Sequence, residues 1–223
     1  SPQNFTLPWK HESEVAQTSY NGGTRIRDEN RALILKAAEK VFAQSGFNGA
    51  RLTEISAEAG LPKANLLYYF QSKEDIYRTV CQDILENWLG ALGDISAEDK
   101  ADEALRKYIE AKLELSRKRP NASKVFAMEI ISGAPVIGDY LEHDLKIWVD
   151  KQVEVFNVWQ VRGEIKKVAP RHVLFLIWAA TQTYADFETQ ISAVLGIKEI
   201  GSDEHKNAAM TVTEVILRGL CKH

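Results

Sequence analysis

Residues 53–70, Thr-Glu-Ile-Ser-Ala-Glu-Ala-Gly-Leu-Pro-Lys-Ala-Asn-Leu-Leu-Tyr-Tyr-Phe, constrain this chain more than any other stretch, because two short helical patterns sit either side of one break. The Thr53 hydroxyl is placed to cap the following amides, and Ile55 and Ala59 then fall four apart on one face of a two-turn helix. Gly60 stops that helix, since without a Cβ it takes the left-handed conformation that a tight turn demands, and Leu61 plugs back toward the core. Pro62 opens the second helix at no cost in hydrogen bonds and pushes Leu61 out of helical geometry. The pattern is that of a helix-turn-helix.

In the second helix Leu66 and Phe70 point to the core, which leaves Ala64, Asn65 and Tyr68 on the opposite side. An ordinary solvated face would carry Glu and Lys. Here a methyl group permits close approach, an amide can bond a base edge and tyrosine hydroxyls can reach phosphates, so the face suits a DNA major groove. Lys63 and Tyr69 add phosphate-reaching groups. Arg51 lies beside the capped amides ahead of Thr53, and Lys73 in the first turn of the next helix is a further candidate phosphate contact, with a plain surface lysine as the alternative.

These residues resemble the TetR family of transcriptional regulators, whose amino-terminal pattern is matched by Thr53, Ile55, Ala59, Gly60, Leu66, Tyr69, Phe70, Ser72, Lys73 and Glu74. The chain departs from it at Ser56, Leu61, Pro62, Ala64 and Leu67. Family members commonly place a phosphate-touching tyrosine where Leu67 stands, so that role would pass to Tyr68 and Tyr69. The resemblance implies an all-α protein: a three-helix DNA-binding head on a larger helical body that binds an effector, forms a homodimer and holds a double-stranded operator.

Charge alone argues weakly for DNA. The 223 residues carry 28 Lys and Arg against 31 Asp and Glu, a net charge of −3. From Arg25 to Asp75 there are eight basic and seven acidic residues, so this segment is slightly basic and the remainder acidic, as expected of a head on an acidic body. A sequence-indifferent DNA-coating protein would need far more positive charge. The histidines, His11, His143, His172, His205 and His223, have no ligand-spaced partner, and no nucleophile triad order or phosphate-cradling glycine loop occurs, so an enzyme is not expected and no cofactor or metal is called for. Cys81 and Cys221 read as reduced structural thiols. No signal-like start and no run of 18 uncharged apolar residues occurs, so a cytoplasmic protein without a membrane partner is expected.

The expected organisation is a flexible arm over 1–27, a helix-turn-helix domain over 28–72 and an effector-binding, dimerising body over 73–223. In the arm, Arg25 and Arg27 either reach along DNA or simply solvate a leader. Asp28 to Ser45 forms an amphipathic helix through Leu33, Ile34, Ala37, Ala38, Val41 and Phe42, ended by Gly46. Ser72 caps a connecting helix in which Ile76, Val80, Ile84 and Trp88 step four apart. Ala101 to Lys118 is closed by Pro120; Ser123 to Ser132 is short and apolar; Val136 to Val161 is long. Pro170 opens an element apolar nearly all round that runs on to Leu195, and Asp203 to Leu220 follows. Surplus apolar faces on these last two suggest a four-helix seam between two copies.

Polar groups stranded on apolar helices mark a candidate effector pocket. Gln182 offers one donor and one acceptor side by side near Trp178, Tyr184 and Trp88, with Glu129 and Ser132 as second polar contacts; buried glutamines as often bond backbone or cross a subunit seam. Within the TetR family, the chain from about Leu33 to Leu220, carried by stretches such as 52–135 and 177–187, is similar to regulators of pyrimidine utilisation, in which Asn-Leu-Leu-Tyr-Tyr-Phe also occurs and Leu67 is a subgroup trait. That likeness implies uracil or thymine as effector. Other planar or hydrophobic ligands would satisfy the same pocket chemistry.

Overall fold

The computed structural model of the chain describes residues 23–92 and 95–222, without the side chains of 89–92. Helix α1 (Gly23–Gly49) buries Ile34, Ala37, Ala38, Val41 and Phe42, the predicted stripe, while Leu33 turns outward. It breaks where expected, at Gly46, whose φ of 68° is left-handed. Its start differs from the expectation: Gly23–Arg27, assigned to the arm, are helical, and Arg25 pairs with Glu29 at 2.9 Å. Residues 1–22 of the expected arm lie outside the described residues.

Helices α2 (Leu52–Ala59) and α3 (Lys63–Tyr69) form the helix-turn-helix. The cap is not Thr53, which falls inside the first turn. Extended Arg51 holds the cap position, and the Glu54 carboxylate accepts its backbone N–H at 3.0 Å, placing a first-turn acid at the positive end of the helix. Gly60 adopts φ 67°, and its N–H and that of Leu61 donate to Ala57 O and Ser56 O at 3.2 and 3.1 Å, closing the helix in a Schellman turn. Pro62 stands just ahead of α3 rather than inside it.

Helix α4 (Lys73–Leu92) is capped by Ser72 Oγ, which accepts from the Asp75 amide at 3.1 Å. Its face of Ile76, Val80, Ile84 and Trp88 is buried. The body follows as α5 (Ala101–Lys118), α6 (Pro120–Ile131), α7 (Gly138–Tyr140), a π-helical turn (Leu141–Leu145), α8 (Lys146–Val161), α9 (Pro170–Asp186), α10 (Glu188–Leu195) and α11 (Ser202–Leu220). Pro120 opens α6 as its first residue instead of merely closing α5, because a proline lacks only an N–H that a helix start leaves unpaired. The expected Val136–Val161 helix is interrupted by the wider turn, and the element from Pro170 breaks at Phe187, whose φ/ψ of −115°/29° is not helical.

Among the described residues two apolar cores result. The first joins α1–α3 to α4 and to Ala122, Val125, Ile137 and Tyr140 of the body; the second packs α5 with α8, α9 and α11 around Phe156, Trp159, Leu174 and Ile177. Head and body therefore share one core at their junction. Arg119, between α5 and α6, adds a polar strut by donating to Glu39 of α1 at 2.6 Å and to Asp83 of α4 at 3.4 Å. Among the described residues there is no strand beyond a single antiparallel bridge, Ile165 to Cys221.

Candidate functional site

The outer face of α3 presents Lys63, Ala64 and Tyr68 to solvent, with Tyr68 73% exposed, while Leu66 and Phe70 are buried beneath them. Asn65 and Tyr69 are half-buried at the edge of the same face. The Tyr69 hydroxyl accepts from Asn30 Nδ2 at 3.3 Å and its ring meets that of Tyr68 edge-on, centroids 5.1 Å apart, so the two phenols orient one another. Arg51 and Thr53 are exposed at the start of α2. Leu67, half exposed, lies beside Tyr68 and offers only apolar contact.

Lys73 behaves differently from the expected phosphate contact. Its ammonium turns inward, donating to Phe47 O at 2.8 Å and Ala50 O at 3.2 Å, and lies 4.5 Å from the centre of the Phe47 ring. Two carbonyls left over where α1 ends capture the cation, which clamps the α1–α2 turn onto α4.

A cavity of about 520 Å³ lies between α4, α5, α6, α8 and α9. Trp88, Trp148 and Trp178 stand around it with Tyr108 and Phe126. It sits at the seam of the two cores: Leu85, Trp88 and Tyr140 belong to the first, Tyr108 to the second, and Trp148 and Trp178 pack on the second. Of the sequence candidates, Trp88, Trp178 and Gln182 line this space.

Three do not. Glu129 points to the far side of α6, where it accepts from the Tyr77 hydroxyl and from two backbone amides. Ser132 is an exposed cap at the end of α6. Tyr184, two positions from Gln182, is turned away around α9 toward a separate groove with His205 and Ala209 of α11.

Two charged residues missed in the sequence complete the lining. Lys112 is only 4% exposed, with its ammonium 4.5 Å from the centre of the Trp88 ring, and burial pushes its pKa down to about 8 against the opposing pull of Asp186. Burial raises the Asp186 carboxyl above the usual range, and Ser123 Oγ donates to it at 2.5 Å. The signal was present as spacing: Trp178, Gln182 and Asp186 recur every four residues along α9, and Lys112 follows Tyr108 by four on α5. The Trp178 indole donates to the Tyr108 hydroxyl at 2.8 Å, fixing both rings. The Trp88 indole N–H and the Gln182 amide have no hydrogen-bond partner among the described residues. A flat molecule with carbonyl and N–H groups on its edge is what such a lining can hold.

Residues 34–80 match the family model described as bacterial regulatory proteins, tetR family, and residues 81–223 match the YcdC-like protein, C-terminal region. The chain is 39% identical over 197 residues to the HTH-type transcriptional regulator RutR of Escherichia coli, covering 88% of this chain and 93% of that protein. Among solved structures it is similar to the ketosteroid transcriptional regulator KstR2 of Mycobacterium tuberculosis, with a TM-score of 0.71 at 19% identity over 86% of this chain and 95% of that one. A TetR family transcription regulator from Marinobacter aquaeolei matches with a TM-score of 0.63 at 17% identity, over 89% of this chain and 100% of that one. These two likenesses speak for the fold. No helix among the described residues is long and apolar enough to cross a membrane, and none of their His, Cys, Asp and Glu side chains group in threes as a metal site would. The chain belongs to the TetR family of bacterial regulatory proteins, DNA-binding transcriptional regulators rather than enzymes.

Proposed function

We propose that this regulator is a homodimeric repressor released from its operator by a pyrimidine, uracil or thymine. The observation that carries the effector assignment is the cavity lining. Aromatic walls from Trp88, Trp148 and Trp178 suit a planar ring, and the unpaired Gln182 amide pairs with an adjacent ring carbonyl and N–H. Lys112 donates to a second carbonyl, Asp186 accepts a further N–H, and the two charges together ask for a neutral ligand. The likeness of residues 52–135 and 177–187 to regulators of pyrimidine utilisation supports the same choice.

Arg51, Thr53, Lys63, Ala64, Asn65, Tyr68 and Tyr69 form the proposed DNA surface, with Asn65 reading a base edge, Ala64 permitting close approach and the others holding backbone. The copies pair through the later helices, where Phe175 and Leu176 of α9, Val194 of α10 and Met210 and Val215 of α11 are exposed apolar groups that a partner would cover. Two α3 helices then enter successive major grooves about 34 to 36 Å apart. Thermal melting with added uracil or thymine tests the reading: a rise at saturating ligand is expected. No rise with either compound would overturn the effector assignment.

A further inference from the structure

Behind the cavity wall lies a buried carboxylate that the effector reading leaves unused. Helix α6 turns Phe126, Ala127, Ile130 and Ile131 to the cavity and Glu129 to the opposite side. Glu129 is 2% exposed. It accepts from the Tyr77 hydroxyl of α4 at 2.9 Å and from the backbone N–H groups of Val136 and Ile137 at 2.8 and 3.0 Å. Its backbone carbonyl also accepts from Ala134 at 2.8 Å.

The turn held in this way is a strained one. Ala134 has a φ of 54°, in the left-handed region that alanine rarely adopts, directly after Gly133 at 89°. A few residues further on, Tyr140, Leu141 and Leu145 line the cavity again. On the other side, the Tyr77 ring lies 5.0 Å, centre to centre, from both Phe42 and Phe47 of α1. Burial and the Glu129 charge push the neighbouring Cys81 thiol up to about 12, so it stays protonated and inert beside them.

We infer that Glu129 is the positioning residue that passes cavity occupancy to the DNA-reading head. It does so by tying the cavity wall α6, the strained turn at Ala134 and the α4 rod together through one acceptor group. The inference rests on the effector reading above. Three donors converge on an acceptor-only group away from water, and none of them can be dropped cheaply, so a displaced wall drags its partners. Tyr77 then shifts against Phe42 and Phe47, the shelf on which α2 and α3 are carried.

Spin labels at Ala57→Cys on α2 and Lys107→Cys on α5, both exposed positions, report the head-to-body distance, with the labelled chain diluted in unlabelled protein and the native cysteines buried. Glu129→Gln and the gentler Tyr77→Phe, which keeps its ring packing, are compared with the parent, each with and without uracil. Expected is a uracil-induced distance shift in the parent that is lost in both variants, while calorimetry shows their uracil affinity unchanged within about twofold. A parent that binds uracil without a distance shift, or variants that shift as the parent does, overturns the inference. A parent that binds no uracil sinks the effector reading instead. The ligand-free distances then decide: broadening in both variants sustains the linkage, and unchanged distributions end it.

Discussion

The Lys112 ammonium lies 4.5 Å from the centre of the Trp88 ring, a cation held against an aromatic face inside the cavity. Burial makes its charge costly, and the ring quadrupole returns only part of that cost.

Stability should therefore depend on pH in a definite direction. The folded-state pKa is about 8 and the ordinary lysine value 10.5, so between them the unfolded chain binds more protons and stability rises with pH. Ligand-free protein is expected to gain melting temperature from about pH 8 toward 10 through this group, and Lys112→Met to remove that slope while raising stability at pH 7. Melting curves of both proteins across that range check it. The same substitution is expected to weaken effector binding at least about tenfold, the loss of one charged hydrogen bond.

Lys63 and Lys73 are expected to differ in kind. Lys63→Ala removes an exposed cation and should lower the salt slope of operator binding by about 1. Lys73→Met removes two hydrogen bonds to Phe47 O and Ala50 O, and should cost about 1 to 3 kcal/mol of folding stability with the slope nearly unchanged. Binding isotherms at several salt concentrations, with denaturant melts, separate the two outcomes.

Asn65→Ala is expected to relax base preference, narrowing the gap between operator and mutated operator by about 1 to 3 kcal/mol. Tyr69→Phe should weaken binding to all sequences alike, since it deletes a hydroxyl that also bonds Asn30. Gel shifts at fixed salt on a panel of single-base operator variants measure both. Unaltered binding by the two variants would remove α3 as the reading element.

Gln182→Leu and Tyr184→Phe test the geometry of α9. The first strips the amide from the cavity and should reduce uracil affinity about tenfold or more; the second alters a side chain facing the other groove and should leave it within about twofold. Titration calorimetry reads both.

Where one physical rule dominated, the sequence was a good guide. Glycine at a helix end and proline at a helix start act through their own backbones, and the Gly46 break, the Gly60 turn and the buried face of α4 follow from a few neighbours. The break at Phe187 and the π-helical turn at Leu141–Leu145 carry no glycine or proline, so periodicity ran straight through them. Side-chain direction was harder. Glu129 and Tyr184 stand on the correct helices, but a polar residue on an apolar helix faces either a cavity or a buried donor, and only packing decides between them. Lys112 was missed because lysine is so rarely buried that its place among Tyr108, Ile109 and Leu113 passed for a solvated gap. The residues proposed to face DNA stand out in the sequence because a methyl, an amide and phenols on an outward helix face are themselves the anomaly.

The seam between the two cores has a consequence for how long the protein lasts in a cell. An occupant touching Leu85 and Trp88 on one side and Trp148 and Trp178 on the other acts as mortar, adding contacts that exist only in the folded form. Without it, the halves would lean on a void and are expected to open to proteases more often. Under the proposed function, a metabolite that releases the regulator from its operator would thereby also preserve it, keeping a stock of intact but idle molecules ready to close the promoter when supply runs out.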